Sequence, residues 1–350
     1  MSLMEAERML TEQEAAEKLL SVSAVTFDRI GGGANSRVYH FVGSDTCQYA
    51  VKFYFMQESD TRDRLGTEFA SMSFLWEQGL RCVPRPIMVD RKQSCAVYEY
   101  VEGSKISFQD VTAADIDEVI VFLEQLKCLN DKASTKSFGS ASEACFSTQQ
   151  IFDNIQWRIK RLEHSLDKNK DLNHFLVNDY IPFLEILIQR EKEKLVCFDS
   201  EIPLQERTLS PSDYGFHNAI RNKEGKIIFF DFEYFGWDDP AKMISDFILH
   251  PAMDLSNDLK NRFIQKMYAV FQDYSNLPKR VETAYALFGL KWCLIFLNEF
   301  VEDDLQRRKF AQGDLASKKQ RQEEQLFKAK QMLNLIKETY QEFPYKYEIR

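Results

Sequence analysis

The chain has 350 residues, above the roughly 250–300 at which one hydrophobic core stops growing, so two domains or lobes are expected. Hydrophobic residues make up 44% and charged residues 28%, a globular balance that excludes a disordered chain. With 45 basic against 54 acidic residues the net charge is −9, so no overall basic face exists for nonspecific DNA or RNA binding. A nucleotide, which needs only a few local groups and a metal, remains compatible with that charge.

The longest apolar stretch, Ala284 to Leu297, is interrupted by Lys291 and falls short of the about 20 residues a membrane span needs. Residues Met1 to Leu20 are rich in Glu and lack the apolar core of a signal peptide. The 7 cysteines are scattered singly without metal-type spacing, which reads as reduced thiols in a cytoplasmic protein.

In chain order, Thr11 and Glu14 form a capping box that opens a helix ending near Leu20. Residues 25–30, 37–42 and 49–54 are β-branched and aromatic runs separated by turn residues, so they predict strands of an antiparallel sheet. Gly31-Gly32-Gly33-Ala34-Asn35-Ser36 lies between the first two. A helix is expected from about Asp60 to Gln78, ended by Gly79, with Leu65, Phe69, Met72 and Trp76 on one face. Strands at 87–89 and 95–101 complete a small lobe.

Beyond residue 104 helices dominate. Val119, Phe122, Leu123, Leu126 and Leu129 form one stripe, and Ile151, Ile155, Ile159, Leu162 and Leu166 a second. The Ser/Ala/Thr/Lys-rich residues 130–148 read as a mobile loop. More helix runs to about Lys194, bent near Pro182. Residues 281–300 predict a buried helix, and Leu326, Ala329, Leu333 and Ile336 a last amphipathic one whose charges, across 302–330, are solvated. Among these helices sits a hairpin pattern, 218–222 and 226–230, around Lys223-Glu224-Gly225.

A hairpin turning at Glu224–Gly225 sets Asn218 opposite Asp231, bringing two hard oxygen donors together as Mg²⁺ requires. Each also has an ordinary explanation, as the start of a turn and the end of a strand. Asp213, five residues before Asn218 in a Pro/Gly loop, is placed to accept a hydroxyl proton or simply to cap a turn. Lys52 lies in an apolar strand and Glu68 on the apolar side of its helix; each explains the other if they pair. His217 beside Asn218 is assigned a structural role, and Asp238-Asp239 a helix cap. Glu233 and Trp237 either face substrate or pack below the site.

The order of these parts (glycine-rich hairpin, strand Lys, helix Glu, helices, loop Asp, Asn, hairpin Asp) is that of the kinase phosphoryl-transfer set. From about Val25 to Pro251 the chain resembles the aminoglycoside phosphotransferase/choline kinase family, whose fold is protein-kinase-like. The most specific segments are Ser212-Asp213…Asn218, Phe230-Asp231-Phe232-Glu233 and Asp239-Pro240. No Asp-Phe-Gly, Ala-Pro-Glu or activation segment points to a protein kinase.

The resemblance implies an α+β, two-lobed fold: an N-terminal helix (1–24), an antiparallel-sheet N-lobe (25–101) and a larger helical C-lobe (102–350). It implies ATP as phosphoryl donor, Mg²⁺, and a small-molecule acceptor such as a sugar, aminoglycoside or amino alcohol, with no nucleic-acid or membrane partner. By position, Asp213 looks like the catalytic base and Asn218 and Asp231 like the metal ligands. Lys52 looks like the phosphate contact, oriented by Glu68. Gly31, Gly32, Gly33, Asn35 and Ser36 look like the phosphate-covering loop, and Glu99, Tyr100 and Val101 like the adenine-holding hinge. Glu233 and Trp237 are substrate candidates. The family's loop His and Gly fall here on Pro211 and Ser212, so the loop must be held differently, with Pro211 itself the first candidate. That departure favours the competing reading, a kinase-fold protein that binds nucleotide or a partner without turnover.

Overall fold

The computed structural model describes residues 10–31, 35–56, 62–134, 138–194, 198–301 and 318–345. They divide into two compact units, one through Gly103 and one from Ser104 onward.

The small unit opens with α1 (Glu12–Leu20), whose Thr11–Glu14 capping box forms as the sequence predicts. Five strands follow: β1 (Ala24–Gly31), β2 (Ser36–Gly43), β3 (Gln48–Tyr54), β4 (Pro86–Asp90) and β5 (Cys95–Glu99). They pair antiparallel in the order β1-β2-β3-β5-β4. Alternation along β3 sends Val51 and Phe53 into a core with Ala15 and Ala16 of α1, Cys95 and Val97. Lys52 and Tyr54 therefore emerge on the other face. Between β3 and β4 lies α2 (Arg64–Glu77), capped by Asp63, whose carboxylate accepts the Gly66 N–H at 2.8 Å. It stops where Gly79 takes φ +89° and the Leu80 N–H returns to the Leu75 carbonyl. Leu65 and Met72 are buried as expected, but the face is rotated toward Glu68 and Leu75, leaving Phe69 and Trp76 partly exposed.

The larger unit begins in β6 (Gly103–Lys105), followed by α3 (Ala113–Cys128), α4 (Asn130–Ala133), α5 (Thr148–Leu166), α6 (Lys170–His174) and α7 (Ile181–Lys194). Pro182 does not bend a continuous helix. A π-helical stretch, Phe175–Tyr180, precedes α7, and Pro182 occupies its second position, where no N–H is needed. Next come β7 (Thr208–Ser210), β8 (Ala219–Asn222), β9 (Ile227–Phe229), β10 (Gly236–Asp238) and α8 (Pro240–Leu249). The helices α9 (Asn257–Val270), α10 (Leu277–Phe296) and α11 (Lys318–Thr339) complete the unit. α10 is buried along most of its length and packs against α5, α8 and α11. Leu326, Ala329, Leu333 and Ile336 make the predicted buried stripe of α11. Among the described residues no helix is long and apolar enough to cross a membrane.

The segment 130–148, expected to be a mobile loop, is held at several points. Its start is α4, and its later part joins backbone to backbone with the β10 region. Trp237 N–H donates to the Gly139 carbonyl (3.0 Å), Ala141 N–H to Trp237 (2.8 Å) and Ser142 N–H to Tyr234 (2.9 Å). Gly236 permits this approach, because a Cβ there would meet the Gly139 oxygen and Ala141 nitrogen at 2.5 Å.

Candidate active site

The β8–β9 hairpin is fixed to α3 before any functional side chain is considered. Arg221 of β8 donates to Asp115 of α3 at 2.8 Å, and Phe122 stacks on Phe229 with centroids 4.6 Å apart. The strands pair Ala219 with Phe229 and Arg221 with Ile227. This register differs by one residue from the predicted one. The loop has three residues, 223–225, closed by Asn222 N–H to the Lys226 carbonyl, with Gly225 at φ +80° in the left-handed position such loops require. Asn218 thus lies opposite Phe230, whose N–H bonds its carbonyl at 3.0 Å, and Asp231 follows immediately at φ +71°. The one-residue shift keeps the two donor residues at the same end of the hairpin.

The Asp213 loop leaves β7, which pairs with β10. Asp213 N–H returns to the Pro211 carbonyl at 2.9 Å across Ser212, which has φ +66°. This is a γ-turn of the rarer, strained hand. Gly215 takes φ +148° and could not carry a Cβ, which would meet Met253 Sδ at 2.3 Å. The turn delivers the Asp213 carboxylate to a pair of imidazoles. His217 Nε2 is 2.9 Å from Oδ1, and His250 Nε2 is 3.5 Å from the same oxygen. The two rings stack at 3.9 Å and 4°. His250 Nδ1 accepts the Ala252 N–H at 3.2 Å, so the neutral ring carries its proton on Nε2, toward Asp213. His217 thus holds the carboxylate by a hydrogen bond and His250 stacks behind it, an arrangement for positioning a carboxylate rather than a metal-binding triad.

Burial pushes the Asp213 pKa up, but the His217 hydrogen bond and the nearby His217, His250 and Lys242 charges outweigh it and hold the carboxyl down at about 2. Burial, then the neighbouring His217, lowers His250 to about 4. Asp213 is therefore ionised at neutral pH while its side chain remains 39% exposed, available to a hydroxyl. Asn218 donates its side-chain N–H to the Asp213 main-chain carbonyl at 3.0 Å, which turns its Oδ1 away from the loop. Oδ1 of Asn218 and the Asp231 carboxylate are the hard oxygen donors that Mg²⁺ prefers, so the residues present fit that ion. His217, assigned a structural role from sequence, orients Asp213.

The Asp238-Asp239 pair divides its work. Asp239 caps α8 by accepting the Ala241 N–H at 2.8 Å, as expected. Asp238 meets Lys242 Nζ at 2.7 Å, and Asp246 meets the same ammonium at 3.2 Å. Burial opposes the Lys242 charge, but the two carboxylates outweigh it and raise its pKa. Lys242 also donates to Ser212 Oγ at 3.1 Å. The sequence reading overlooked Lys242 and His250, although Asp238, Lys242 and Asp246 recur every four residues into a mostly apolar helix, a spacing that signals pairing. Trp237 is half-buried and engaged through its main chain with Gly139 and Ala141, and Glu233 is buried.

The remaining candidates belong to the small unit. Lys52 and Glu68 pair as expected, Nζ to Oε2 at 2.6 Å, with side-chain exposures of 7% and 3%. Glu68 Oε2 also accepts the Tyr54 hydroxyl at 2.9 Å, and Tyr54 meets the Tyr98 hydroxyl at 3.0 Å. Burial and the Glu68 charge push the Tyr54 hydroxyl well above its ordinary pKa, so it stays protonated and donates. Period-two alternation from Lys52 to Tyr54 was the overlooked signal. Gly31 ends β1 opposite Val38, and buried Ser36 begins β2 opposite Tyr54. The buried Asn35 accepts the Phe55 N–H at 2.8 Å through its carbonyl. Gly32 and Gly33 lie outside the described residues. β5 ends at Glu99 rather than running to Val101. Glu99 exchanges main-chain contact with Arg85 (2.8 Å), Tyr100 stacks on His40 at 3.8 Å, and Val101 is half-buried.

A family model described as a phosphotransferase enzyme family matches residues 26–265. Solved structures with the same fold include the choline kinase LicA from Streptococcus pneumoniae, at 16% identity and TM-score 0.59, covering 92% of this chain and 97% of that one. The gentamicin complex of APH(2")-IIa matches at 15% identity and TM-score 0.60, covering 93% and 97%. An ethanolamine kinase from Plasmodium vivax matches at 16% identity and TM-score 0.56, covering 93% and 86%. No curated protein matches the sequence.

Proposed function

The chain belongs to the phosphotransferase enzyme family, and from that membership and the Asp213 site we propose that it is a kinase transferring the γ-phosphate of ATP to a hydroxyl of a small molecule. The observation that carries the reading is the treatment of Asp213. A partly exposed carboxylate is hydrogen-bonded by His217, with His250 stacked on that imidazole at 3.5 Å from the same oxygen, and the amide of Asn218 is anchored to its main chain. A solvated surface Asp needs none of these.

In this reading Asp213 accepts a hydrogen bond from the acceptor hydroxyl and takes its proton as the oxygen attacks the γ-phosphorus. The bond to the β–γ bridging oxygen breaks and ADP departs. With a pKa near 2, Asp213 is a weak base. Its contribution is mainly to aim the oxygen, which suits a loose transition state in which the proton leaves late. Lys52, held by Glu68, contacts phosphate oxygens, and the backbone of Glu99 to Val101 holds adenine. Asn218 and Asp231 would hold Mg²⁺, which when bound neutralises charge on the phosphates. Glu233 and Trp237 remain substrate candidates, the weaker part of the assignment because both are engaged in packing.

The structural relatives include proteins solved with AMP, with ADP and with aminoglycosides. Those ligands support ATP as donor here and leave amino alcohols, aminoglycosides and sugars as the acceptor classes to try. The test has two steps. Thermal-shift titration with ATP should show stabilisation that grows with Mg²⁺. ATP consumption should then rise with at least one hydroxylated metabolite of a panel. Metal-independent binding with no turnover across the panel would favour the competing reading, a nucleotide-binding protein without catalysis.

A further inference from the structure

Asp238, the last residue of β10, and Lys242 and Asp246 of α8 are spaced four residues apart, and Lys242 is 2% exposed. Burying an ammonium and two carboxylates gains little for stability, since apolar side chains of similar size do as well. The third partner of Lys242 gives the cluster a purpose. Nζ donates to Ser212 Oγ at 3.1 Å, Ser212 Oγ donates to the Ser142 carbonyl at 3.1 Å, and Ser212 N–H donates to Ser210 Oγ at 3.0 Å. Ser212 is the central residue of the γ-turn that ends on Asp213, at a φ of +66° that a residue with a Cβ adopts only under constraint. Pro211, the residue expected to shape the loop, is buried and accepts the Asp213 N–H through its carbonyl.

We propose that Lys242 is a positioning residue for phosphoryl transfer: its buried ammonium locks the Ser212 hydroxyl, and with it the strained turn that aims the Asp213 carboxylate. The proposal rests on the reading of Asp213 as the group that receives the acceptor proton. It accounts for the two sequence departures together. With no side chain at position 211 able to donate a hydrogen bond, the hydroxyl at 212 and the lysine of α8 hold the loop. Asp238 and Asp246 keep that lysine charged, and β7 and the Ser142 segment supply the opposing anchors.

The full-length protein is tested with MgATP, following ADP release with water as acceptor, and with the downfield imidazole N–H resonance of His217, identified by its loss in His217→Gln. Ser212→Ala removes the hydroxyl and leaves the Lys242–Asp238 pair intact. The paired variant Lys242→Met/Asp238→Asn removes the lysine without stranding the fully buried Asp238 carboxylate, and Asp246, 14% exposed, keeps the Trp292 N–H at 3.2 Å. Both should shift or broaden the His217 resonance and lower kcat at least 10-fold with KM for ATP within 2-fold. In an Asp213→Asn background Ser212→Ala should cost less than 2-fold more, because it acts through the lost carboxylate. An unchanged His217 resonance, or the same loss in both backgrounds, overturns the positioning role and leaves the Asp213 reading standing. An Asp213→Asn enzyme at the wild-type rate overturns both.

Discussion

Removing the Glu68 carboxylate is the sharpest perturbation of the small unit. Glu68 is 3% exposed and accepts hydrogen bonds from Lys52 at 2.6 Å and from Tyr54 at 2.9 Å. In Glu68→Ala the Lys52 ammonium, 7% exposed, faces a buried environment without its carboxylate. Breaking one side of such a pair costs about 3–5 kcal/mol, most of it the desolvation of the orphaned charge. The Tyr54 hydroxyl retains Tyr98 at 3.0 Å, so its share of the loss is small. The double substitution Lys52→Met/Glu68→Leu removes both charges and keeps the volume, and such swaps are neutral or stabilising. Urea denaturation followed by circular dichroism should therefore rank the double variant near wild type and well above Glu68→Ala. Turnover of ATP should be lost in both, because both lack a correctly held phosphate contact. A loss below about 1 kcal/mol in Glu68→Ala would show that the pair is solvated rather than buried. Full turnover in the double variant would refute a phosphate role for Lys52.

Further outcomes follow from other parts of the molecule. Gly236→Ala should destabilise by about 1–3 kcal/mol in the same urea assay, because its Cβ would occupy backbone atoms of residues 139–141. His250 has its pKa lowered to about 4 by burial and by His217, so the unfolded chain binds the proton more readily than the folded one. The stability this confers is present above about pH 6.5, the unfolded value, and is lost as pH falls toward 4. His250→Gln should flatten the stability–pH slope over that window. Asp213, lowered to about 2, behaves likewise at more acid pH, losing its contribution from about pH 4 downward. Protonation of Asp213 therefore produces no acid limb in kcat/KM between pH 5 and 8, read from a pH–rate profile of the wild type. Asn218→Ala should raise the Mg²⁺ concentration needed for half-maximal turnover about 10-fold or more, read by metal titration at fixed ATP.

The chemistry of the site was legible where burial forces a charge to find a partner. Lys52 in an apolar strand and Glu68 on an apolar helix face each implied the other, and the structure pairs them at 2.6 Å. Hairpin proximity of Asn218 and Asp231 was also readable, but the register was not. Only the closing pair, Asn222 with Lys226, distinguishes a three-residue loop from a two-residue one, and both fit the same letters. Segment 130–148 was read as a mobile loop because it is rich in Ser, Ala, Thr and Lys, whereas Gly139, Ala141 and Ser142 are held by main-chain bonds to Tyr234 and Trp237 that leave no side-chain signature. His250 and Lys242 lie 37 and 29 positions beyond Asp213, on or after a helix whose docking sets their place; sequence spacing cannot show that they converge on the loop.

The central claim is that Asp213 directs phosphoryl transfer to a hydroxyl. Phosphorus-31 NMR of the wild-type protein and Asp213→Asn, with MgATP and the acceptor that stimulates turnover, tests it directly. The account predicts a phosphate-ester resonance growing in step with ADP in the wild type, and slowed at least 100-fold in Asp213→Asn with KM for ATP little changed. An ester formed at the same rate by both proteins would contradict it.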